Sequence, residues 1–276
     1  MKGNENILLY LRQCLPGMSP AFQKLGEFIL REPQRILYLT ITELAKEAST
    51  SEASVTRLCR HLNCKGYTEF KMALAMDIQQ SHPVEQDEVN DSADALVEEA
   101  VHALRDTRKL LNQDDLKQAA LAIHKAQVIQ IYGVAASATT GDYLHYRLLR
   151  MGKSAVMFND MHRAAMNASV LKEGELVIVV SSSGSTRDVL HVVKLARKQN
   201  AKVIMISNTV SSPIGNLVDL LLVAARPEGP FTAGTLITKV GAMLLVELLI
   251  RELMVLSSQY LQASQKTASS TLPMLL

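Results

Sequence analysis

The stretch that most constrains this 276-residue chain runs from Leu176 to Asp188, where an apolar segment passes directly into a loop of hydroxyl side chains. Residues 177–180 are consecutive and all β-branched, a pattern typical of a parallel strand that is buried on both faces. The residues after the loop are amphipathic with helical spacing, so that helix presents its free N–H groups to the loop. A strand covered on both faces needs helices on each side of its sheet, and the segment therefore predicts an α/β fold.

The loop predicts an anion site suited to a single phosphate group. Hydroxyls and the positive end of a helix dipole both attract an anion, and Gly184 lets the backbone approach closely. No Gly-Lys-Ser/Thr follows, and one glycine stands where a dinucleotide turn needs three, so neither a triphosphate nor a dinucleotide is expected. The alternative is that the hydroxyls only cap the helix. The hydroxyl residues are Ser181, Ser182, Ser183, Ser185 and Thr186.

From about residue 127 strands and helices alternate, which predicts a three-layer α/β sandwich with a parallel five-stranded sheet. Ligands of such sheets bind beyond the carboxyl ends of the strands, where the loop at 133–137 would meet the hydroxyl loop. Helices are expected in every gap, with a short one starting at Pro213. The predicted strands are 128–132, 155–158, 176–180, 202–206 and 220–224.

Residues 1–80 read instead as an all-α domain. Thr40 and Glu43 form a capping box at the start of one helix, Ser49–Ser51 is a turn, and a second helix runs from about Glu52 to Leu62. Two short helices joined by a three-residue turn predict a helix-turn-helix.

The second of these helices is a candidate recognition helix for double-stranded DNA. Its apolar side, with Val55, Leu58 and Leu62, leaves an opposite face of small, hydroxyl and arginine side chains, which suits the major groove. Arg57 or Arg60 can pair with guanine or grip phosphate, and the sequence leaves both open. The alternative is a helical bundle with solvated arginines. The candidate DNA-binding residues are Ser51, Glu52, Ser54, Thr56, Arg57 and Arg60.

Charge and composition limit the classes of protein to which the chain can belong. Residues 81–100 hold seven acidic residues and no lysine or arginine, which predicts an acidic linker running into a helix. The apolar stretch 240–256 contains Glu247, Arg251 and Glu252, so no membrane partner is expected, and the start lacks a secretory pattern, which predicts a cytoplasmic protein. The cysteines fit no metal-site spacing, and neither a metal nor another cofactor is predicted.

The hydroxyl loop resembles the Ser-x-Ser-Gly-x-Thr signature of sugar isomerase (SIS) phosphosugar-binding domains. Many relatives read Gly-x-Gly-Ser-Ser in the first loop, whereas this chain has Ala135 and Ala136 at the second glycine and first serine. Asp160 and His162 lie where sugar hydroxyls can be read, and Lys239 can face the phosphate; each is otherwise a surface or packing residue. The ligand-binding residues that the resemblance implies are Gly133, Ser137, Ser181, Ser183, Gly184 and Thr186.

The segment from Thr50 to Arg60, followed by Lys65–Lys71, resembles the helix-turn-helix of RpiR-type bacterial transcription regulators. Those regulators join the two domains in this order, so the resemblance covers nearly the whole chain. It implies a helix-turn-helix domain at 1–80, the linker at 81–100 and a SIS domain at 101–276. It also implies a homodimer or homotetramer that binds operator DNA and responds to a phosphorylated sugar.

The sequence therefore predicts a regulator of carbohydrate or amino-sugar metabolism that is not an enzyme. An isomerase needs a positioned general base, and the pocket loops offer only Asp160, His162 and Glu228, none of them in a motif that fixes it over a substrate carbon. The alternative function is an SIS phosphosugar isomerase that carries a helical accessory domain. No catalytic residue is predicted.

Overall fold

The chain folds into two compact units in a computed structural model that describes residues 6–81 and 93–274. The N-terminal unit comprises the chain up to Ala95 together with Pro227–Ala233, and the C-terminal unit comprises Leu96–Arg226 and Gly234 onward. Much of the predicted acidic linker, including Glu85, Asp87, Glu88 and Asp91, lies outside the described residues.

The described residues up to Ser81 form the predicted all-α domain. Its core is formed by buried aliphatic side chains, among them Leu25, Leu44 and Leu58. The second helix ends at Arg31, and Pro33 then occupies the first turn of the next helix. The helices are α1 (Ile7–Cys14), α2 (Pro20–Arg31), α3 (Pro33–Ile36), α4 (Ile41–Glu47), α5 (Glu52–His61) and α6 (Tyr67–Ser81).

Helices α4 and α5 form the predicted helix-turn-helix. The Glu43 N–H donates to Thr40 Oγ1 at 3.1 Å and the Thr40 N–H donates to Glu43 Oε2 at 2.8 Å, so both bonds of the capping box are present. The Thr42 hydroxyl donates to the carboxylate of Glu52 and thereby joins the two helices. Local hydrogen bonding therefore fixes where α4 begins and how α5 follows it.

The C-terminal unit is a five-stranded parallel sheet between two layers of helices. Its strands are β1 (Val128–Tyr132), β2 (Ala155–Phe158), β3 (Glu175–Val180), β4 (Lys202–Ser207) and β5 (Leu220–Val223). Its helices are α7 (Ala93–Leu110), α8 (Gln113–Lys125), α9 (Ala136–Arg150), α10 (Met161–Ala168), α11 (Arg187–Lys198), α12 (Leu236–Leu256) and α13 (Ser258–Thr271). The predicted fold class is confirmed.

Strand β3 is covered on both faces. Leu176 and Ile178 belong to one core, which includes residues of α8, α9 and α12. Val177 and Val179 belong to a second core with residues of α10 and α11. The strand order is β2-β1-β3-β4-β5, so the connection direction reverses between β1 and β3. Ligands of doubly wound sheets bind at such a reversal, which singles out the loops after β1 and β3.

The connection between β4 and β5 differs from the prediction. It contains a short 3-10 turn, Gly215–Leu217, where a helix starting at Pro213 was expected. The Gly215 N–H donates to Ser212 Oγ and the Asn216 N–H to the Ser212 carbonyl, both at 3.0 Å, so Ser212 caps a single turn that ends at Leu217.

Across the two described ranges, no helix combines the length and apolar character that a membrane span requires. Helix α12, which contains the apolar stretch noted in the sequence, instead buries Leu245 and Leu249 in the core of the C-terminal unit.

The capping box yields a prediction about the stability of the helix-turn-helix. Thr40→Ala removes a buried N-cap hydroxyl, and we expect it to lower the free energy of unfolding by about 1 kcal/mol. Urea unfolding followed by circular dichroism measures the change. The control is Thr68→Ala at an exposed position of α6, expected to stay within about 0.5 kcal/mol of the parent. Equal effects of the two substitutions would show that the box does not stabilise the unit.

Candidate functional site

The candidate DNA face lies on α5. Arg57 and Arg60 are exposed and Thr56 is half-buried, whereas Val55 and Leu58 are buried in the core. The helix therefore presents the predicted polar side outward. Its N-terminal turn is capped by Ser51, whose Oγ accepts from the Ser54 N–H at 3.1 Å.

Two predicted DNA-binding residues are used within the protein. Ser54 is only 7% exposed, and its hydroxyl lies 3.0 Å from Ser51 Oγ and 3.3 Å from Arg57 Nη2. Glu52 accepts the bond from Thr42 that joins α4 to α5. Ser54 thus positions the Arg57 guanidinium, and Glu52 positions the helix.

Tyr67 and Lys71 support the segment leading into α4, a role that the sequence alone does not indicate. The Tyr67 hydroxyl donates to the Leu39 carbonyl at 3.1 Å, and Lys71 Nζ donates to the Leu37 and Leu39 carbonyls at 3.3 Å. Burial raises the pKa of Tyr67 and lowers the pKa of Lys71. Both residues occur in the segment that carries the RpiR resemblance. These contacts give the two side chains a structural role in that segment.

The candidate ligand site is built around the loop that follows β3. The Gly184 N–H donates to the Ser181 carbonyl at 3.2 Å and closes a tight turn. Gly184 has a φ of 58°, and a Cβ added to it would lie 2.0 Å from Ser212 Oγ, so only glycine fits. Gly133, after β1, packs so that an added Cβ would lie 3.3 Å from the Val180 carbonyl oxygen. The loops after β1 and β3 therefore meet at the carboxyl edge of the sheet.

The hydroxyl loop does not cap helix α11. Thr186 is the N-cap residue of α11, and no side-chain hydrogen bond caps that terminus. The Ser183 and Ser185 hydroxyls instead bond within the loop, at 3.3 Å to the Ser185 N–H and at 3.0 Å to the Ser183 carbonyl. The capping interpretation is therefore wrong, because these hydroxyls leave the first-turn N–H groups of α11 without a side-chain acceptor.

Ser182 was not among the predicted ligand residues, but its hydroxyl contacts both Lys239 and Ser137. Lys239 Nζ donates to Ser182 Oγ at 2.6 Å, and Ser137 Oγ lies 3.5 Å from the same atom. Ser182 is only 6% exposed. The structure thus brings Lys239, left open by the sequence, from the first turn of α12 to the hydroxyl loop. The Lys239 ammonium group therefore lies at the loop that leads into the uncapped N-terminus of α11, whose first turn also contains Asp188.

Asp160 and His162 lie at the start of α10, after β2. Both are exposed, and Asp160 Oδ1 accepts the N–H groups of His162 at 2.8 Å and Arg163 at 3.2 Å. These backbone hydrogen bonds lower the pKa of the Asp160 carboxyl. Asp160 therefore acts first as the N-cap of α10.

Ala135 keeps a backbone conformation that favours glycine. It has a φ of 49° and a ψ of −133°, in the position where relatives carry the second glycine of the first loop. Ala135 therefore adopts, with a Cβ, the conformation that a glycine would adopt without strain. Such a conformation costs a residue with a Cβ on the order of 1–3 kcal/mol.

Comparison with known proteins agrees with this geometry. Residues 5–81 match the helix-turn-helix domain of the rpiR family, and residues 122–250 match the SIS domain. The structure of the Vibrio vulnificus NanR protein complexed with ManNAc-6P is 41% identical, with a TM-score of 0.93 over 98% of this chain and 99% of that one. The chain belongs to the RpiR family. The resemblance noted from the sequence is confirmed, and the RpiR-family chain is a helix-turn-helix transcriptional regulator with a SIS domain.

Curated relatives show the same two-domain arrangement at greater distance. An HTH-type transcriptional regulator of Caldanaerobacter subterraneus is 26% identical over 88% of the RpiR-family chain and 89% of its own length. The bifunctional protein Glk of Burkholderia thailandensis is 26% identical over 87% of this chain, which spans only 38% of that longer protein. The regulator architecture therefore also occurs as one part of a larger polypeptide.

The strained loop residue yields a stability prediction. Ala135→Gly relieves the positive φ, and we expect it to raise the free energy of unfolding by about 1 kcal/mol despite the added chain entropy of glycine. Thermal unfolding measures the shift. Ala136→Gly is the matched control, because Ala136 is the first residue of α9 and the same change there should be neutral or destabilising. A lower melting temperature for Ala135→Gly would show that the loop is not strained.

Proposed function

We propose that this regulator binds operator DNA through α5 and that a phosphorylated amino sugar, bound beyond β1 and β3, controls that binding. The observation that carries the proposal is the meeting of Lys239, the hydroxyl loop and the uncapped N-terminus of α11 at one edge of the sheet. Each of these features favours an anion, and together they suit a phosphate group.

The proposed phosphate contacts follow from the close approach of the loops after β1 and β3. Gly184 and Gly133 allow the two loops to approach, so that hydroxyl and backbone donors can surround one phosphate. Lys239 supplies a positive charge, but it is not part of a Gly-Lys-Ser/Thr motif of the kind that binds nucleoside triphosphates. The absence of that motif supports a monophosphate rather than a nucleotide. We add Ser182 and Lys239 to the proposed set, because Lys239 Nζ and Ser137 Oγ both lie next to Ser182 Oγ. The other proposed ligand-binding residues are Gly133, Ser137, Ser181, Ser183, Gly184 and Thr186.

The sugar class is proposed from the NanR relative. That protein is complexed with ManNAc-6P and is 41% identical to this chain over nearly its whole length. An amino-sugar phosphate is therefore the first ligand to test. Ala135 and Ala136 alter the first loop relative to the SIS signature, so related sugar phosphates belong in the same series of measurements.

The SIS domain is proposed as a sensor rather than an isomerase. Asp160 is engaged as a helix cap and its lowered pKa makes it a weaker base, and His162 is exposed at the start of α10. Glu228 lies in the segment Pro227–Ala233, which belongs to the N-terminal unit. These placements support ligand binding without proton transfer.

We further propose that the regulator works as a homodimer or homotetramer in the cytoplasm, where operator DNA is reached. A dimer presents two recognition helices to half-sites about 34–36 Å apart. The C-terminal unit exposes several large apolar side chains, including Tyr146 at 51%, Leu149 at 57% and Met166 at 72%, which supports burial against a second copy.

Ligand binding is tested by removing single hydroxyls. Ser183→Ala or Thr186→Ala removes a charge-assisted hydrogen bond worth about 1.5–3 kcal/mol, so affinity for ManNAc-6P should fall roughly 10- to 100-fold. Isothermal titration calorimetry on the full chain measures it. Ser269→Ala, at an exposed position of α13, is the control and should bind as the parent does. Unchanged affinity in both loop variants would exclude this loop as the phosphate site.

DNA binding is tested by removing two arginines together. The double variant Arg57→Ala with Arg60→Ala should lose operator affinity, and its log–log salt slope should shrink by about 0.9 for each lost phosphate contact. Fluorescence anisotropy at several salt concentrations gives both quantities. The control, Lys194→Ala with Lys198→Ala, removes the same charge from exposed positions of α11 in the C-terminal unit. Equal affinities and slopes in the two double variants would contradict binding through α5.

A further inference from the structure

Asn208, the residue after β4, is a buried carboxamide that neither proposed site uses. It is 4% exposed. Its Nδ2 lies 3.1 Å from the carbonyl oxygen of Ala225, 3.1 Å from that of Arg226 and 2.8 Å from that of Thr238. One amide nitrogen with two N–H donors thus gathers three backbone carbonyls around a single point.

The backbone of Asn208 is bonded to the candidate ligand loop. Its N–H donates to the Ser182 carbonyl at 3.0 Å, and the hydroxyl of Ser207 donates to the same oxygen at 3.1 Å. Ser182 is also the residue whose hydroxyl accepts from Lys239. Asn208 therefore bonds to the ligand loop through its backbone and to three distant carbonyls through its side chain.

Those carbonyls mark where the chain passes between the two units. The chain leaves the C-terminal unit after Arg226 and returns at Gly234, and the intervening segment Pro227–Ala233 belongs to the N-terminal unit. Thr238 lies in the first turn of α12, shortly after the return. The side chain of Asn208 thus holds the chain at both ends of this segment.

Arg226, at the departing end, has an unfavourable backbone conformation. Its φ is 71°, in the left-handed region that residues with a Cβ avoid. Its carbonyl accepts from Asn208, and its Nη2 lies 3.3 Å from Asp106 Oδ2 on α7. Such a conformation persists where surrounding contacts hold it, and it is a common feature of segments that switch.

Helix α7, where the chain first passes between the two units, is hydrogen-bonded to Ala225, one of the residues that Asn208 contacts. The Ala225 N–H donates to Oγ1 of Thr107 at 2.9 Å, and Thr107 is fully buried on α7. Helix α7 is the element through which the chain first passes from the N-terminal unit to the C-terminal unit, at residues 95 and 96. Hydrogen bonds therefore run from Ser182 through Asn208 and Ala225 to Thr107.

We propose that Asn208 is a positioning residue that couples the ligand loop to the DNA-binding unit. Phosphate binding that moves Ser182 also moves its carbonyl, and Asn208 passes that movement to the segment around Arg226 and to α7. The proposal rests on the proposed function and deepens it, since it names the residue through which the sugar phosphate acts. Linkage allows either sign of the effect on DNA affinity.

The test measures the coupling factor, which is the ratio of DNA dissociation constants with and without saturating ManNAc-6P. Asn208→Ala should bring that factor about fivefold or more closer to one, while the affinity for ManNAc-6P alone and the affinity for DNA alone change by less than about threefold. Calorimetry and fluorescence anisotropy on the full chain give the three quantities. A purely structural role would weaken both affinities instead.

Thr107→Val and Asn216→Ala complete the set. Thr107→Val keeps the side-chain shape but removes the acceptor of the Ala225 N–H. It should bring the coupling factor closer to one, as Asn208→Ala does. If Asn208→Ala does not fold, the result for Thr107→Val tests the proposal by itself. Asn216→Ala, at an exposed position of the same β4–β5 connection, should leave the factor unchanged. The role of Asn208 is overturned, and the proposed function is not, if Asn208→Ala and Thr107→Val both keep the wild-type coupling factor. The same holds if both affinities are lost while the coupling factor stays constant. A wild-type factor of one overturns the proposed function as well.

Discussion

Burial of β3 on both faces is the constraint from which the arrangement of the C-terminal unit follows. Its side chains alternate between two separate cores, one with α8, α9 and α12 and the other with α10 and α11. A strand so covered offers no surface for polar chemistry along its length, so the chemistry begins where the strand ends, after Val180. The neighbouring β1 ends at the same edge, and two loops with different sequences therefore meet at the proposed ligand site.

Much of this fold could be predicted because the signals were local. The short apolar runs locate the strands to within about one residue, and the capping box at Thr40 locates the start of α4. The β4–β5 connection could not be predicted in the same way. Its turn is closed by the Ser212 hydroxyl, and Ser212 also packs against Gly184, whose position depends on another strand.

The candidate site was predicted less completely than the fold, for a related reason. Hydroxyls and glycines close together in sequence indicated a phosphate loop, but the Lys239–Ser182 contact joins residues 57 positions apart. Asn208 was missed because its importance lies in three carbonyls contributed by two other segments. On α5 the helical spacing predicted which face is exposed, yet it placed Ser54 with the arginines although its hydroxyl is buried beside them. Contacts distant in sequence follow from the packing of whole elements, which periodicity alone does not describe.

The close contact between Gly184 and Ser212 restricts how the loop after β3 can change during evolution. Any side chain at position 184 would collide with the serine, so the loop after β3 cannot acquire a new residue there unless the loop after β4 first becomes smaller. The two positions should therefore covary among relatives. The loop after β1 is less restricted in this respect, because Ala135 already carries a Cβ at a positive φ.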